Sequence, residues 1–169
     1  RTVSKDTQLT LPSKVMVTVL EQFPLLIICS NEGSLEFDES SVEVTFEDSC
    51  GSLTFSDRTV SWELKQGGIE QIFGLNEEKG IELFDAETVG KHILLRHWRA
   101  GDRMHPIGTT GCVKLQDWFI NEKIEKHRRR RLIVAESLGR GIFWVQGMRI
   151  SETFKVTSET KKLLVWKCS

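Results

Sequence analysis

Hydrophobic residues recur along most of this chain at every second position. Lys14–Leu20 (KVMVTVL), Ser41–Phe46 (SVEVTF) and Thr59–Leu64 (TVSWEL) place Val, Phe and Trp on one face and polar residues on the other, which is the signature of half-buried strands. Leu25–Cys29 is continuously apolar and suits a strand covered on both faces. Turn chemistry separates these runs at Asn31-Glu32-Gly33, Asp48–Gly51 and Ser56-Asp57-Arg58, so the first half predicts an antiparallel meander.

Gln66-Gly67-Gly68 interrupts the pattern, and Gly80–Phe84 resumes it as a strand. Asp85 is placed to cap one helical turn, Ala86–Val89, ending at Gly90. His92–Trp98 reads as another strand. The clearest helix is Lys114–Ile124, with Leu115, Trp118, Phe119 and Ile120 at helical spacing and Thr109 or Thr110 as its cap. Lys126–Arg131 extends or restarts it. Leu132–Ala135 and Ile142–Gln146 form a hairpin across Leu138-Gly139-Arg140-Gly141, and Thr153–Val156 and Lys162–Trp166 close the sheet. The expected class is α+β, predominantly antiparallel β, with one or two short helices around residues 113–131.

Charge changes this picture. The net charge of -1 over 169 residues would by itself argue against a nucleic-acid module. However, residues 1–90 hold six Lys+Arg against seventeen Asp+Glu, and residues 91–169 hold seventeen against seven. An acidic half of −11 precedes a basic half of +10. Two domains are expected, an acidic β-rich linking region at 1–79 and a basic domain at 80–169. The seventeen carboxylates are most simply the solvated face of the first sheet. Cys29, Cys50, Cys112 and Cys168 lack metal-ligand spacing, as do the four histidines, so no metal and a reduced cytoplasmic protein are expected. The longest apolar run, Pro24–Cys29, is far short of the roughly 20 residues that span a bilayer, and no membrane partner or secretion signal is expected. A start at Arg1 rather than Met suggests a piece of a longer polypeptide.

The densest chemistry lies between Arg96 and Lys114. Gly101, Gly108 and Gly111 supply positive φ or close backbone approach, and Pro106 fixes a further dihedral. Around them stand Arg96, Arg99 and Arg103, with Lys114 opening the helix. Guanidinium forks on a rigid loop ahead of a helix suit phosphate oxygens, with Asp102 orienting one arginine; the alternative is an ion-paired loop that merely ends a strand. Glu125-Lys-His-Arg-Arg-Arg-Arg131 then presents four consecutive arginines with too few acids nearby in sequence to pair them all, which gives salt-sensitive attraction to nucleic acid or a solvated patch. Neither a phosphate-binding Gly-x-x-x-x-Gly-Lys-Ser/Thr, nor Gly-x-Ser-x-Gly, nor His-Glu-x-x-His occurs. Cys112, near Lys114, is a small loop filler before it is a nucleophile. Trp62, Trp98, Trp118, Trp144 and Trp166 fall in patterned segments and read as core before they read as a base-stacking platform; Trp98, between His97 and Arg99, is the one with exposure as an alternative.

The second half resembles the C-terminal domain of tRNA(Ile)-lysidine synthetases. The matching string is Leu95-Arg96-x-Trp98-Arg99-x-Gly101-Asp102-Arg103, Pro106-x-Gly108-x-x-Gly111, Lys114-Leu115-x-Asp117-x-Phe119-Ile120-x-x-Lys123-Ile124, then Ile142-x-Trp144-Val145-x-Gly147-x-Arg149-Ile150 and Phe154-Lys155-Val156-Thr157. Val113 stands where the family often has a lysine, and Glu125 and Ile133 where it usually has prolines. The resemblance implies tRNA docking at the acceptor stem of tRNA(Ile); the candidate contacts are Arg96, Arg99, Arg103, Lys114, Lys123 and Arg149 from the matching string, with Arg128, Arg129, Arg130 and Arg131 added by the charge run. It also implies a separate PP-loop domain that uses ATP and Mg to join L-lysine to the wobble cytidine. Its Ser-Gly-Gly-x-Asp-Ser type motif is absent here, so this piece is expected to be non-catalytic and to hold no cofactor, within a ligase. The competing expectation is a charge-mediated interaction module in which acidic and basic halves of two copies meet as a homodimer without RNA.

Overall fold

The computed structural model describes residues 8–10, 15–19, 26–30, 39–68, 70 and 80–169. The chain divides into two compact units, Arg1–Phe37 and Asp38–Ser169. In the first, β1 (Gln8–Thr10), β2 (Val15–Val19) and β3 (Leu26–Ser30) form an antiparallel sheet in chain order, with Leu9 opposite Val17 and Val17 opposite Ile28. The expected turn at 31–33 and the double-sided cover of β3 lie outside the described residues.

The second unit is built on two four-stranded antiparallel sheets, with short helices packed against both. Its strands are β4 (Ser41–Thr45), β5 (Cys50–Phe55), β6 (Arg58–Gln66), β7 (Ile81–Asp85) and β8 (His92–His97), then β11 (Ile133–Ser137), β12 (Gly141–Val145) and β13 (Lys162–Cys168), with a short ladder of β9 (Arg103–Met104) and β10 (Val113–Lys114) between. One sheet runs β12-β11-β8-β4 and the other β5-β6-β13-β7. The expected single meander is therefore corrected. β4 leaves its sequence neighbours to pair with β8, while β5 and β6 join β13. The expected boundary at 79/80 falls inside this unit, because strands on either side of it share both sheets.

The main core lies between the two sheets. Ile93, Leu95, Ile133 and Phe143 from one meet Phe55, Val60, Phe84, Leu164 and Trp166 from the other. Phe143 sits edge-on to Phe84 at 5.0 Å and to Trp166 at 5.4 Å, the arrangement that aromatic quadrupoles favour. Burying each such ring contributes about 1.5–3 kcal/mol. Gly51 lies opposite Trp62 across the β5–β6 ladder, where a Cβ would come within 2.4 Å of the indole; only glycine leaves the ring that space.

The outer face of the β12-β11-β8-β4 sheet carries a second cluster. β11 alternates, with Ile133 and Ala135 in the main core and Val134 in this cluster beside Trp98, Leu115, Phe119 and Val145. Trp98 stacks edge-on against Phe119 at 5.3 Å and is 6% exposed; it is core, as its patterned segment implies, and the alternative of exposure between His97 and Arg99 is not realised. The helix carrying Phe119 is α2 (Leu115–Asn121), followed by α3 (Lys126–Arg129); the first turn, α1, is Ala86–Val89.

Asp85 caps α1 as the sequence implies, its Oδ1 accepting from Thr88 N at 2.8 Å, and Gly90 ends the turn at φ 80. Arg140 reaches back to donate to the carbonyls of Glu87 and Thr88, satisfying the free end of the helix. Two expectations fail. Thr153–Val156 is not a strand, since Glu152–Phe154 forms a 3₁₀ turn that buries Phe154. α2 has Lys114 at its N-cap position without a side-chain cap, because Thr109 Oγ1 instead donates to Pro106 O at 2.8 Å. Among the described residues no helix is long and apolar enough to cross a membrane.

Candidate nucleic-acid interface

The loop after β8 is built around Arg96. Its guanidinium is 5% exposed and donates to both Asp102 oxygens, at 2.8 and 3.0 Å, and twice to Glu136 Oε2, at 3.0 and 2.8 Å. A fifth bond goes to His97 O at 3.1 Å. Burial alone would lower its pKa; the hydrogen bonds to Asp102 and Glu136 overcome this and hold the charge on more firmly than usual. Asp102 Oδ2 also accepts from Arg99 N at 2.7 Å, so one carboxylate orients a buried guanidinium and closes the turn. Arg96 is thus a structural clamp rather than a hand extended to a ligand. This corrects its assignment to a binding surface: every donor direction of its fork is already spent inside the protein.

Beyond the clamp the loop is pinned to the segment at 150–152. Ile107 N donates to Ile150 O, Glu152 N to His105 O, and Gly108 N to Glu152 Oε2. Lys155 pairs with Glu152 from the other side. Gly101 and Gly108 take φ 97 and 76, where side chains are disfavoured. Gly111 has neither positive φ nor a close neighbour, so that expectation is not met there.

This frame presents a groove of about 450 Å³. Arg103 and Lys114 face one another across the β9–β10 ladder, and Arg149 joins them from the turn after β12. All three are exposed. A second part of the lining comes from α2 and the residue after it. Asp117 and Asn121, and Trp118 and Glu122, stand four apart and so share one helix face. Trp118 packs partly on the second cluster and donates Nε1 to Glu122 Oε1 at 3.2 Å. Cys112 is a free, exposed thiol on the rim. Three of the expected cations therefore converge. The carboxylates and indole that share this lining were not foreseen, although the i, i+4 spacing carried the signal.

The other candidates lie outside the groove lining. Arg99 is exposed at the loop tip, and Lys123, also exposed, adopts φ 56 where α2 ends. Arg128 and Arg131 are exposed, while Arg129 and Arg130 are half-buried. Arg129 Nε donates to Ile124 O, tying α3 to the end of α2. Arg131 approaches Asp57 at 3.7 Å, an acid distant in sequence that the local pattern could not supply. Among the described residues no group of His, Cys, Asp and Glu is arranged to hold a metal ion.

Residues 93–166 match the family model of the TilS substrate C-terminal domain. Curated relatives include the tRNA(Ile)-lysidine synthase of Clostridium acetobutylicum, 40% identical over 90 residues that cover 53% of this chain and 19% of the relative. That of Caldanaerobacter subterraneus subsp. tengcongensis is 37% identical over 97 residues, 57% of this chain and 21% of the relative. The chain thus spans about a fifth of the length of the curated relatives it matches. A crystal structure of a TilS C-terminal domain superposes with a TM-score of 0.58 at 22% identity, covering 77% of this chain and 97% of that chain. At that identity the likeness is one of fold. The second half of the chain is similar in sequence, and most of the chain in fold, to the C-terminal part of this family, as the motif string implied.

Proposed function

We propose that this chain, similar over its second half to the C-terminal region of tRNA(Ile)-lysidine synthases, is the tRNA-docking part of such a ligase. It holds the acceptor stem of tRNA(Ile) while a catalytic domain outside this chain works on the anticodon. The observation that carries this reading is the convergence of Arg103, Lys114 and Arg149 on one exposed groove, with Arg99, Arg128 and Arg131 exposed elsewhere on the surface. Duplex RNA is recognised through phosphates, 2′-hydroxyls and shape, and such cations suit that task. No residue here is assigned to ATP, magnesium or L-lysine, since the sequence has no PP-loop motif.

Filter binding of tRNA at two salt concentrations tests the proposal. Several phosphate contacts predict an affinity that falls by orders of magnitude between low and moderate salt; equal, weak binding at both would overturn it. The alternative, a charge-paired homodimer, rests on the −11 and +10 halves. Sedimentation showing a salt-sensitive dimer without tRNA affinity would favour that reading instead.

A further inference from the structure

The groove carries more than a phosphate grip. Its two walls differ in chemistry: Arg103, Lys114 and Arg149 supply only donors, whereas Asp117 and Glu122 supply only acceptors beside the indole of Trp118. A duplex backbone passing over it would satisfy the cations and leave like charge against the carboxylates. A single nucleotide satisfies both walls, with its phosphate on the cations and an amino-bearing base reaching the carboxylates. Unpaired RNA bases are commonly held on aromatic side chains in this way. A cavity of about 450 Å³ also lies in the range of small-ligand sites, about 300–1,000 Å³, and is too small for a helix.

We infer that the groove receives one unpaired nucleotide at a strand end of the docked RNA, with preference for a base bearing an exocyclic amino group. The inference rests on the RNA-docking reading and adds a subsite to it. Glu122 is prepared for this role: its bond from Trp118 Nε1 fixes the indole edge and leaves its second oxygen to accept.

The test uses the whole 169-residue chain and three RNA hairpins with one stem: blunt, with a short single-stranded 3′ extension ending in adenosine, and with the same extension ending in uridine. The adenosine hairpin should bind roughly tenfold tighter than the blunt one, the scale of one stacked base. Uridine should recover only part of that gain. Trp118→Leu should bring the adenosine-to-blunt ratio close to one, and Arg128→Glu with Arg131→Glu should weaken all three hairpins while preserving the ratio. Maleimide labelling of Cys112, followed by mass spectrometry of the wild-type chain, gives a readout that needs no variant. The adenosine hairpin should protect this thiol and the blunt hairpin should not. Equal affinity of blunt and extended hairpins, or equal labelling of Cys112, overturns the nucleotide subsite alone. Failure of every hairpin to bind overturns RNA docking and the subsite together.

Discussion

Arg96 and Arg103 are seven residues apart on either side of one loop, and the fold uses them in opposite ways. Arg96 ends β8 facing the outer sheet surface, where Asp102 and Glu136 close on it. Arg103 lies on the short β9–β10 ladder, opposite Lys114, with its head in solvent. The first is a buried charge whose loss leaves two carboxylates uncompensated. The second is an exposed charge whose loss costs the fold little but costs any anionic ligand a partner. What separates a structural arginine from a binding one is whether the chain itself supplies the carboxylates.

Breaking the clamp should have the largest effect. Arg96→Ala should lower unfolding stability by about 3 kcal/mol in urea denaturation, as removing one partner of a buried ion pair does. Arg103→Ala should stay within about 0.5 kcal/mol of wild type. Comparable losses at both positions would erase the distinction.

A second contrast lies among the acids. The described carboxylates of the first half are mostly exposed, for example Glu39, Glu43, Glu47, Asp48 and Glu63. Glu82 on β7 is buried enough that its pKa rises to about 7, against the opposing effect of a hydrogen bond from Trp144. The folded protein therefore holds this proton where the unfolded chain releases it, so stability should fall as pH rises from about 4.5 to about 7. Allowing for its partial exposure, the loss should be about 2 kcal/mol. Glu82→Gln should flatten that slope in denaturation curves taken between pH 5 and 8; an unchanged slope would show that Glu82 is not its source.

Gly108→Ala, at φ 76, should cost about 1 kcal/mol by thermal unfolding. The smallest effect is expected at the surface. Arg131→Ala breaks a 3.7 Å contact with Asp57 between two exposed side chains and should change stability by less than about 0.5 kcal/mol.

Local features of this fold were legible because local rules produce them. Alternating Val, Phe and Trp marked β2, β4 and β6, Asp85 marked the start of α1, and the restart read at Lys126 is α3 (Lys126–Arg129). β5 was missed because CGSLTF opens on residues that also read as a turn, and its Gly51 is there to accommodate Trp62. Sheet membership was out of reach: the pairing of β4 with β8 is set by which faces reach the shared core, not by adjacency in the chain. Trp98 was legible as core from its patterned segment, but what covers it was not: Phe119 arrives from α2. In the groove the cations were visible as a motif. Asp117 and Glu122 read locally as an ordinary helix face; only the fold brings Arg149 and the β9–β10 ladder into the same groove.

The measurement that bears most directly on this account is the slope of log affinity for tRNA against log salt, for the wild type and for Arg103→Glu combined with Lys114→Glu and Arg149→Glu. If these three cations hold phosphates while Arg96 holds the loop, the wild-type slope should be steep and the triple variant, still folded, should lose about three units of it. Equal slopes in the two proteins would contradict the claim that the groove is where RNA is held.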